Sequence, residues 1–104
     1  MYVESKADGL TGPAWIGHVR FSKSGRTVYY RGLTLQRLPS GGSKANHYDV
    51  DTGEEYWISG PKRDGGDRLY GERVPVLVDE EVREEYWTMI RGQPERVTER
   101  DASR

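Results

Sequence analysis

Hydrophobic and polar residues alternate through much of the first half of the chain, a pattern typical of half-buried strands. Residues 15–21 alternate so that Trp15 and Phe21 share one predicted face. Residues 26–30 resume in Val and Tyr after a Ser-Lys-Ser-Gly turn, and three leucines recur between residues 33 and 38. The pattern therefore predicts a hairpin followed by a further strand.

A second hairpin is the clearest local feature of the sequence. Two strand-like segments, His47–Val50 and Glu55–Ile58, flank the short polar segment Asp51–Glu54. Gly53 can adopt the positive φ that a short hairpin loop requires. We therefore predict two adjacent antiparallel strands that are joined by a tight turn.

The last strand is predicted at Val74–Val78, after a loop over residues 60–71 that is rich in glycine and charge. Pro75 lacks the N–H group that would donate a hydrogen bond to a neighbouring strand. We therefore expect this strand at an edge of the sheet, or Pro75 near the start of the strand.

A single helix is predicted to follow. Asp79 suits the N-cap position, and Glu80 and Glu81 occupy the first turn, where the helix dipole favours acidic side chains. Gly92 suits the left-handed position that ends a helix. Four apolar residues with helical spacing form one predicted stripe: Val82, Tyr86, Met89 and Ile90.

These elements predict a fold that is mainly β with one C-terminal α-helix. Short strands with tight turns favour a small SH3-like antiparallel barrel or a strongly bent sheet, and a meander sheet under the helix is the alternative. We expect residues 13–92 to form a single domain. Residues 1–12 are predicted to be an N-terminal extension, and residues 93–104, which hold few apolar side chains, a disordered tail.

The composition limits the location of the protein more than its function. The chain has 104 residues, no cysteine and no apolar run long enough to span a bilayer. The first twelve residues contain charges where a signal peptide requires an apolar stretch. The absence of cysteine suits a reducing compartment. We therefore expect a cytoplasmic protein without a membrane partner.

Charge is distributed unevenly although the formal net charge is −1. Residues 13–73 hold ten Lys or Arg and seven Asp or Glu, whereas residues 79–91 hold five acidic side chains and two Arg. The predicted β region is therefore mildly basic and the helix acidic. An imbalance of this size does not by itself identify a nucleic-acid binder, which would carry a strongly basic face.

The candidate function is a non-catalytic binding module with an aromatic and basic β surface. Glycines in the loop over residues 60–68 let backbone amides approach a ligand, and its cations can contact an anion. Trp57 points away from its strand neighbours and is expected either on a recognition surface or under the helix. The partner is expected to be a protein or a nucleic acid. The predicted binding residues are Tyr48, Trp57, Lys62, Arg63 and Arg68.

The alternative function is a small enzyme or metal-binding protein built on the second hairpin, with His47, Asp49 and Glu55 as its polar groups. Alternate oxygen ligands are what a calcium loop presents, but an EF-hand has glycine at its sixth position, and Gly53 is the fifth residue counted from Asp49. A hairpin turn alone explains the segment. We therefore predict no catalytic residue, no metal and no cofactor.

The segment Tyr56–Lys62, which reads Tyr-Trp-Ile-Ser-Gly-Pro-Lys, resembles a group of small uncharacterised bacterial proteins. The likeness continues through Asp64-Gly65 and Asp67-Arg68 into Glu85-Tyr86-Trp87 and Ile90-Arg91, and it covers roughly residues 12–92. The resemblance implies a bacterial, cytosolic domain and does not imply a particular activity.

Overall fold

A computed structural model of the chain describes residues 1–7, 12–39, 45–68 and 74–102. Eight strands form a single sheet. They are β1 (Tyr2–Ser5), β2 (Ala14–Ile16), β3 (Arg20–Phe21), β4 (Thr27–Tyr30), β5 (Leu33–Arg37), β6 (His47–Asp49), β7 (Glu55–Ser59) and β8 (Val76–Val78). Parts of the predicted loops, residues 40–43 and 69–71, lie outside the described residues.

The sheet is curled into half of a barrel, with the strand order β3-β4-β5-β6-β7-β1-β2-β8. All neighbouring strands are antiparallel except β2 and β8, which are parallel. Both predicted hairpins are present, and Gly53 has the expected positive φ of 78°. The predicted class, mainly β with one C-terminal helix and a strongly bent sheet, is confirmed.

The helix runs from Glu80 to Ile90 and widens along its length. It begins as a 3₁₀ turn at Glu80–Val82, continues as an α turn at Arg83–Glu85 and ends as a π-helical segment at Tyr86–Ile90. Gly92 then adopts a φ of 64°, as predicted for the residue that ends a helix. Within the described residues, no helix is long and apolar enough to cross a membrane.

The sheet separates two hydrophobic clusters, one on each face. The helix packs Val82, Tyr86 and Trp87 on the face of β1, β2 and β8, with the half-buried Trp57 at the margin. The other cluster fills the concave side of the curl. It contains Val3, Val28, Tyr30, Leu35, Tyr56 and Ile58.

The predicted strand over residues 15–21 is wrong, because the chain bends after Ile16 and forms β2 and β3 instead. β2 pairs with β1, whereas β3 pairs with β4 at the far edge of the sheet. Gly17 lies at the bend against Tyr30, whose hydroxyl oxygen is 3.0 Å from the position that a Cβ of residue 17 would occupy. This contact requires a small residue. Phe21, on β3, is 53% exposed.

The predicted N-terminal extension is also wrong, because Tyr2–Ser5 forms a strand between β2 and β7. Tyr2 and Val3 are fully buried. The acidic residue in this strand is buried as well: Glu4 accepts hydrogen bonds from Lys6, at 2.8 Å, and from Arg68, at 3.1 Å. The buried charge is therefore compensated by two cations.

Residues 93–102 pack against the sheet, which corrects the prediction of a disordered tail for this part of the chain. The indole N–H of Trp87 donates to the carbonyl of Glu99 at 2.9 Å, and the guanidinium of Arg96 lies 4.1 Å from the Trp87 ring centroid. Backbone hydrogen bonds of 2.7 Å join Arg100 to Val78 and Ala102 to Val76. These contacts are polar or cation–π, and an apolar pattern does not reveal them.

Candidate functional site

The strands β3 to β7 leave one face of the sheet uncovered by the helix, and we call it the outer face. Arg20 lies opposite Tyr29, and Gln36 lies opposite Tyr48. Trp57 of β7 extends the same face. The alternating residues of these strands point to the concave side and fill its hydrophobic cluster. The outer face therefore carries aromatic and polar side chains that the core does not use.

The aromatic rings of the outer face are held by polar neighbours. Tyr29 is 36% exposed, and the guanidinium carbon of Arg20 lies 5.1 Å from its ring centroid. The Tyr48 hydroxyl donates a hydrogen bond of 3.1 Å to Gln36 Oε1. Rings positioned on a sheet surface offer flat platforms on which bases can stack.

A group of exposed cations, which we call the basic edge, lies at the β3–β5 end of the sheet. None of them forms an ion pair within the described residues. Arg31 differs, because its guanidinium binds the Asp79 carboxylate. The basic edge consists of Arg20, Lys23, Arg26 and Arg37.

Sequence reasoning missed the basic edge, although a signal was present. Residues 9–48 contain six Lys or Arg and no Asp or Glu. The other residues contain ten Lys or Arg and seventeen Asp or Glu. A balance taken over residues 13–73 hides this contrast. The acidic first turn of the helix, with Glu80 and Glu81, follows β8 and lies against Arg31, where β4 ends, whereas Arg26 and Arg37 lie where β4 begins. The molecule therefore has a basic end and an acidic end.

The structure places two predicted binding residues, Tyr48 and Trp57, on the outer face. They lie on neighbouring strands, where Tyr48 is opposite Glu55 and Trp57 is two residues further along. Both side chains are half-buried. Trp57 thus packs against the helix-side cluster and remains partly accessible.

Two further predicted binding residues, Lys62 and Arg63, are exposed in a turn that follows β7. The turn is fixed by carboxylates that accept backbone N–H groups: Asp67 accepts from Lys62 at 2.7 Å and Asp64 from Gly66 at 2.8 Å. Neither Lys62 nor Arg63 forms an ion pair within the part of the chain that the structure describes. Burial raises the pKa of Asp67 above its ordinary value of 3.8.

The last predicted binding residue, Arg68, is buried and belongs to the core. Its guanidinium donates to Glu4 Oε2 and to the carbonyl of Pro75, both at 3.1 Å. The predicted role of Arg68 in binding a partner is therefore wrong, since only 4% of its side chain is accessible. A sequence cannot distinguish such a cation from its exposed neighbours, because its partner lies 64 positions away.

The alternative site on the second hairpin does not assemble. His47 and Asp49 point to the concave side, where His47 lies opposite Tyr56, whereas Glu55 points to the outer face opposite Tyr48. The Asp49 carboxylate accepts the backbone N–H of the turn at 2.9 Å. No group of three His, Asp or Glu side chains within the described ranges is placed to hold a metal ion.

Protein-family models, curated proteins and solved structures contain no match to the chain. The likeness to small bacterial proteins therefore stays an expectation from the sequence. The candidate function follows from the geometry and charge of the outer face and the basic edge.

Proposed function

We propose that the protein is a non-catalytic binding module that binds single-stranded nucleic acid across the outer face and the basic edge. The observation that supports this proposal is the contact of the exposed Arg20 with the exposed ring of Tyr29, at the rim of the sheet that also carries Lys23, Arg26 and Arg37. Cations contact the phosphate backbone, and rings stack on unpaired bases, so the two groups together match a single strand better than a duplex.

The charge distribution orients the partner. A polyanion is attracted to the basic edge and repelled from the acidic first turn of the helix. The cations of the basic edge are not neutralised by carboxylates of the protein within the described residues. Binding to a polyanion therefore displaces counterions from the polyanion without breaking an internal ion pair of the protein.

Lys62 and Arg63 extend the proposed surface. β7 leads from Trp57 into the turn that exposes them, and the carboxylates of Asp64 and Asp67 are engaged by backbone N–H groups of the turn. We therefore include both cations as secondary contacts to the nucleic-acid backbone. They are expected to contribute less than the basic edge, since the acidic residues nearby reduce the local potential.

The experiment is a titration of fluorescein-labelled oligothymidylate and oligouridylate with the full chain, read by anisotropy at several salt concentrations. Four backbone contacts predict a slope of about −3 for the logarithm of the binding constant against the logarithm of salt. The triple variant Arg20→Gln, Arg26→Gln, Arg37→Gln is expected to lose binding. A matched control, Arg83→Gln and Arg100→Gln, removes two cations from the acidic end and should bind as the wild type does.

The aromatic contribution has its own variant. Tyr29→Ala removes an exposed ring and is expected to weaken binding by about tenfold, the size of one base-stacking contact, without changing the melting temperature. Wild-type protein that binds neither oligonucleotide at low salt would overturn the proposed function.

A protein partner is the second candidate, and the position of β3 favours it. This strand lies at the edge of the sheet, beside the basic edge, and an extended acidic peptide would find both backbone hydrogen-bonding groups and cations there. Binding of a poly-glutamate peptide but of no oligonucleotide would favour this candidate over nucleic acid.

We further propose that the protein acts in the bacterial cytoplasm. The support is the resemblance of the Tyr56–Lys62 segment to bacterial proteins and the lack of cysteine. Fractionation of bacterial cells that produce the tagged chain tests this location, and recovery of the chain outside the cytoplasmic fraction would contradict it.

A further inference from the structure

A pocket of about 360 Å³ opens beside the basic edge, where β4 begins and β5 ends. The backbone N–H of Arg37 donates to the carbonyl of Arg26 at 2.9 Å, so the two arginines are anchored side by side. Gln36 and Leu38 flank Arg37, and Pro39 completes the wall. The volume falls in the range of pockets that hold small ligands.

The polar groups of the pocket are hydrogen-bond donors. The two guanidinium groups of Arg26 and Arg37 have no carboxylate partner within the described residues. Gln36, which precedes Arg37 on β5, points to the outer face, where its side-chain oxygen accepts the Tyr48 hydroxyl at 3.1 Å. Such a set of donors suits an anion with several oxygens, and guanidinium groups bind phosphate in bidentate fashion.

The surroundings do not cancel this charge. The buried His47 lies near Arg37, and its pKa is lowered from 6.5 first by burial and then by the charge of Arg37. The cross-strand neighbours carry no carboxylate: Arg26 lies opposite Arg37, and Arg37 lies opposite His47. The apolar side chains of Leu38 and Pro39 add a surface for a flat ring next to the donors.

We propose that the pocket formed by Arg26, Gln36, Arg37, Leu38 and Pro39 binds a phosphate group of a nucleotide, with the attached sugar or base against Leu38 and Pro39. This proposal rests on the proposed nucleic-acid binding and specifies one contact of it. The phosphate belongs either to a terminal monoester or to an internal diester, and both present the same oxygens to the arginines.

The direct test uses adenosine 5′-monophosphate and adenosine as probes in a nuclear magnetic resonance titration of the full chain. The monophosphate is expected to shift the backbone amide signals of Arg26, Gln36 and Arg37, and adenosine is expected to leave them in place. The variant Arg26→Gln, Arg37→Gln should weaken monophosphate binding by about tenfold or more. The matched variant Arg100→Gln removes an exposed cation outside the basic edge, keeps the pocket intact and should bind the monophosphate as the wild type does.

Oligonucleotides with and without a 5′-phosphate identify the source of the phosphate. Tighter binding of the phosphorylated strand, lost in Arg26→Gln, Arg37→Gln, assigns the pocket to a terminal monoester. Equal binding of both strands, weakened in the same variant, assigns it to an internal diester.

The pocket and the proposed function fail in different ways. Unshifted pocket signals with the monophosphate, or unchanged affinity in the double variant, overturn the pocket even if oligonucleotides bind. Monophosphate binding without oligonucleotide binding overturns the proposed function and leaves the pocket as a mononucleotide site.

Discussion

The Tyr30 hydroxyl donates a 2.7 Å hydrogen bond to Asp79 Oδ2 and so joins the end of β4 to the residue before the helix, 49 positions away. The same carboxylate accepts the guanidinium of Arg31. Burial raises the pKa of Tyr30, and the hydrogen bond to Asp79 raises it further. Asp79 therefore ties the curled end of the sheet to the helix start instead of capping the helix with its side chain.

Removal of this carboxylate is expected to destabilise the fold. Asp79→Ala leaves the Tyr30 hydroxyl buried without an acceptor, and we expect a loss of about 2 kcal/mol in the free energy of unfolding. Tyr30→Phe should cost about 1 kcal/mol, because Arg31 still pairs with the carboxylate. Urea denaturation measures both, with the exposed Glu81→Ala as control. A loss below about 0.5 kcal/mol for Asp79→Ala would show that the link contributes nothing.

Truncation after Gly92 tests the packing of the C-terminal segment. Deletion of residues 93–104 uncovers Trp87, which is fully buried, and removes the backbone partners of β8. We expect the free energy of unfolding to fall by about 3 kcal/mol, from lost apolar burial and hydrogen bonds together. Thr98→Ala, an exposed change within the same segment, is the control. An unchanged melting temperature after the deletion would restore the prediction of a disordered tail.

The helix offers a matched pair of substitutions. Tyr86 is 1% exposed and packs edge to face on Trp87, whereas Met89 is 77% exposed. We expect Tyr86→Ala to cost about 3 kcal/mol and Met89→Ala less than about 0.5 kcal/mol. Chemical denaturation of both variants measures the difference, and equal losses would mean that the helix does not dock through Tyr86.

His47 makes stability depend on pH. Its folded pKa is below 6.5, so the unfolded chain binds more protons between the folded pKa and 6.5. The free energy of unfolding should therefore fall as the pH falls through 6.5, and this dependence should be absent above it. His47→Gln is expected to flatten the profile. A wild-type profile that is already flat below pH 6.5 would contradict this prediction.

Asp67 makes stability depend on pH in the opposite direction to His47. Burial raises its folded pKa above 3.8, so the folded chain binds more protons and stability falls as the pH rises from 3.8 through the folded pKa. Asp67→Asn keeps an oxygen for the Lys62 N–H without the buried charge. We expect this variant to be more stable than the wild type at pH 7 and to lose the advantage near pH 4. Thermal denaturation of both proteins at the two pH values tests this expectation. A variant that is less stable than the wild type at pH 7 would contradict it.

Alternation of side chains was sufficient to predict β4 to β7, because each of these strands buries one face on the concave cluster. It missed β1, where Glu4 occupies a core position and its charge is compensated by Lys6, two residues further on, and by the distant Arg68. It also misplaced Met89, since the predicted stripe assumed 3.6 residues per turn. The hydrogen bond from Arg91 N–H to the Tyr86 carbonyl spans five residues, and this wider turn rotates Met89 into solvent.

The aromatic residues Tyr48 and Trp57 of the candidate site were predicted from the sequence, because the alternating pattern reveals the strands β6 and β7 that carry them. Two of the predicted cations, Lys62 and Arg63, are exposed, whereas the third is not. Arg68 is in the core, and the basic edge depends on the strand order, which brings the β3–β4 turn beside the end of β5. The hairpins are visible in the sequence, but the register that places Arg26 beside Arg37 is not.

The two rims of the sheet are unequal, and the difference limits self-association. Residues 100–102 bond to β8 and occupy its rim, whereas β3 at the other rim has no strand beyond it within the described residues. A fibre that grows by strand addition needs two open rims on every copy. Copies of this chain that join through β3 would therefore stop at a pair, and polymerisation would require the C-terminal segment to detach first.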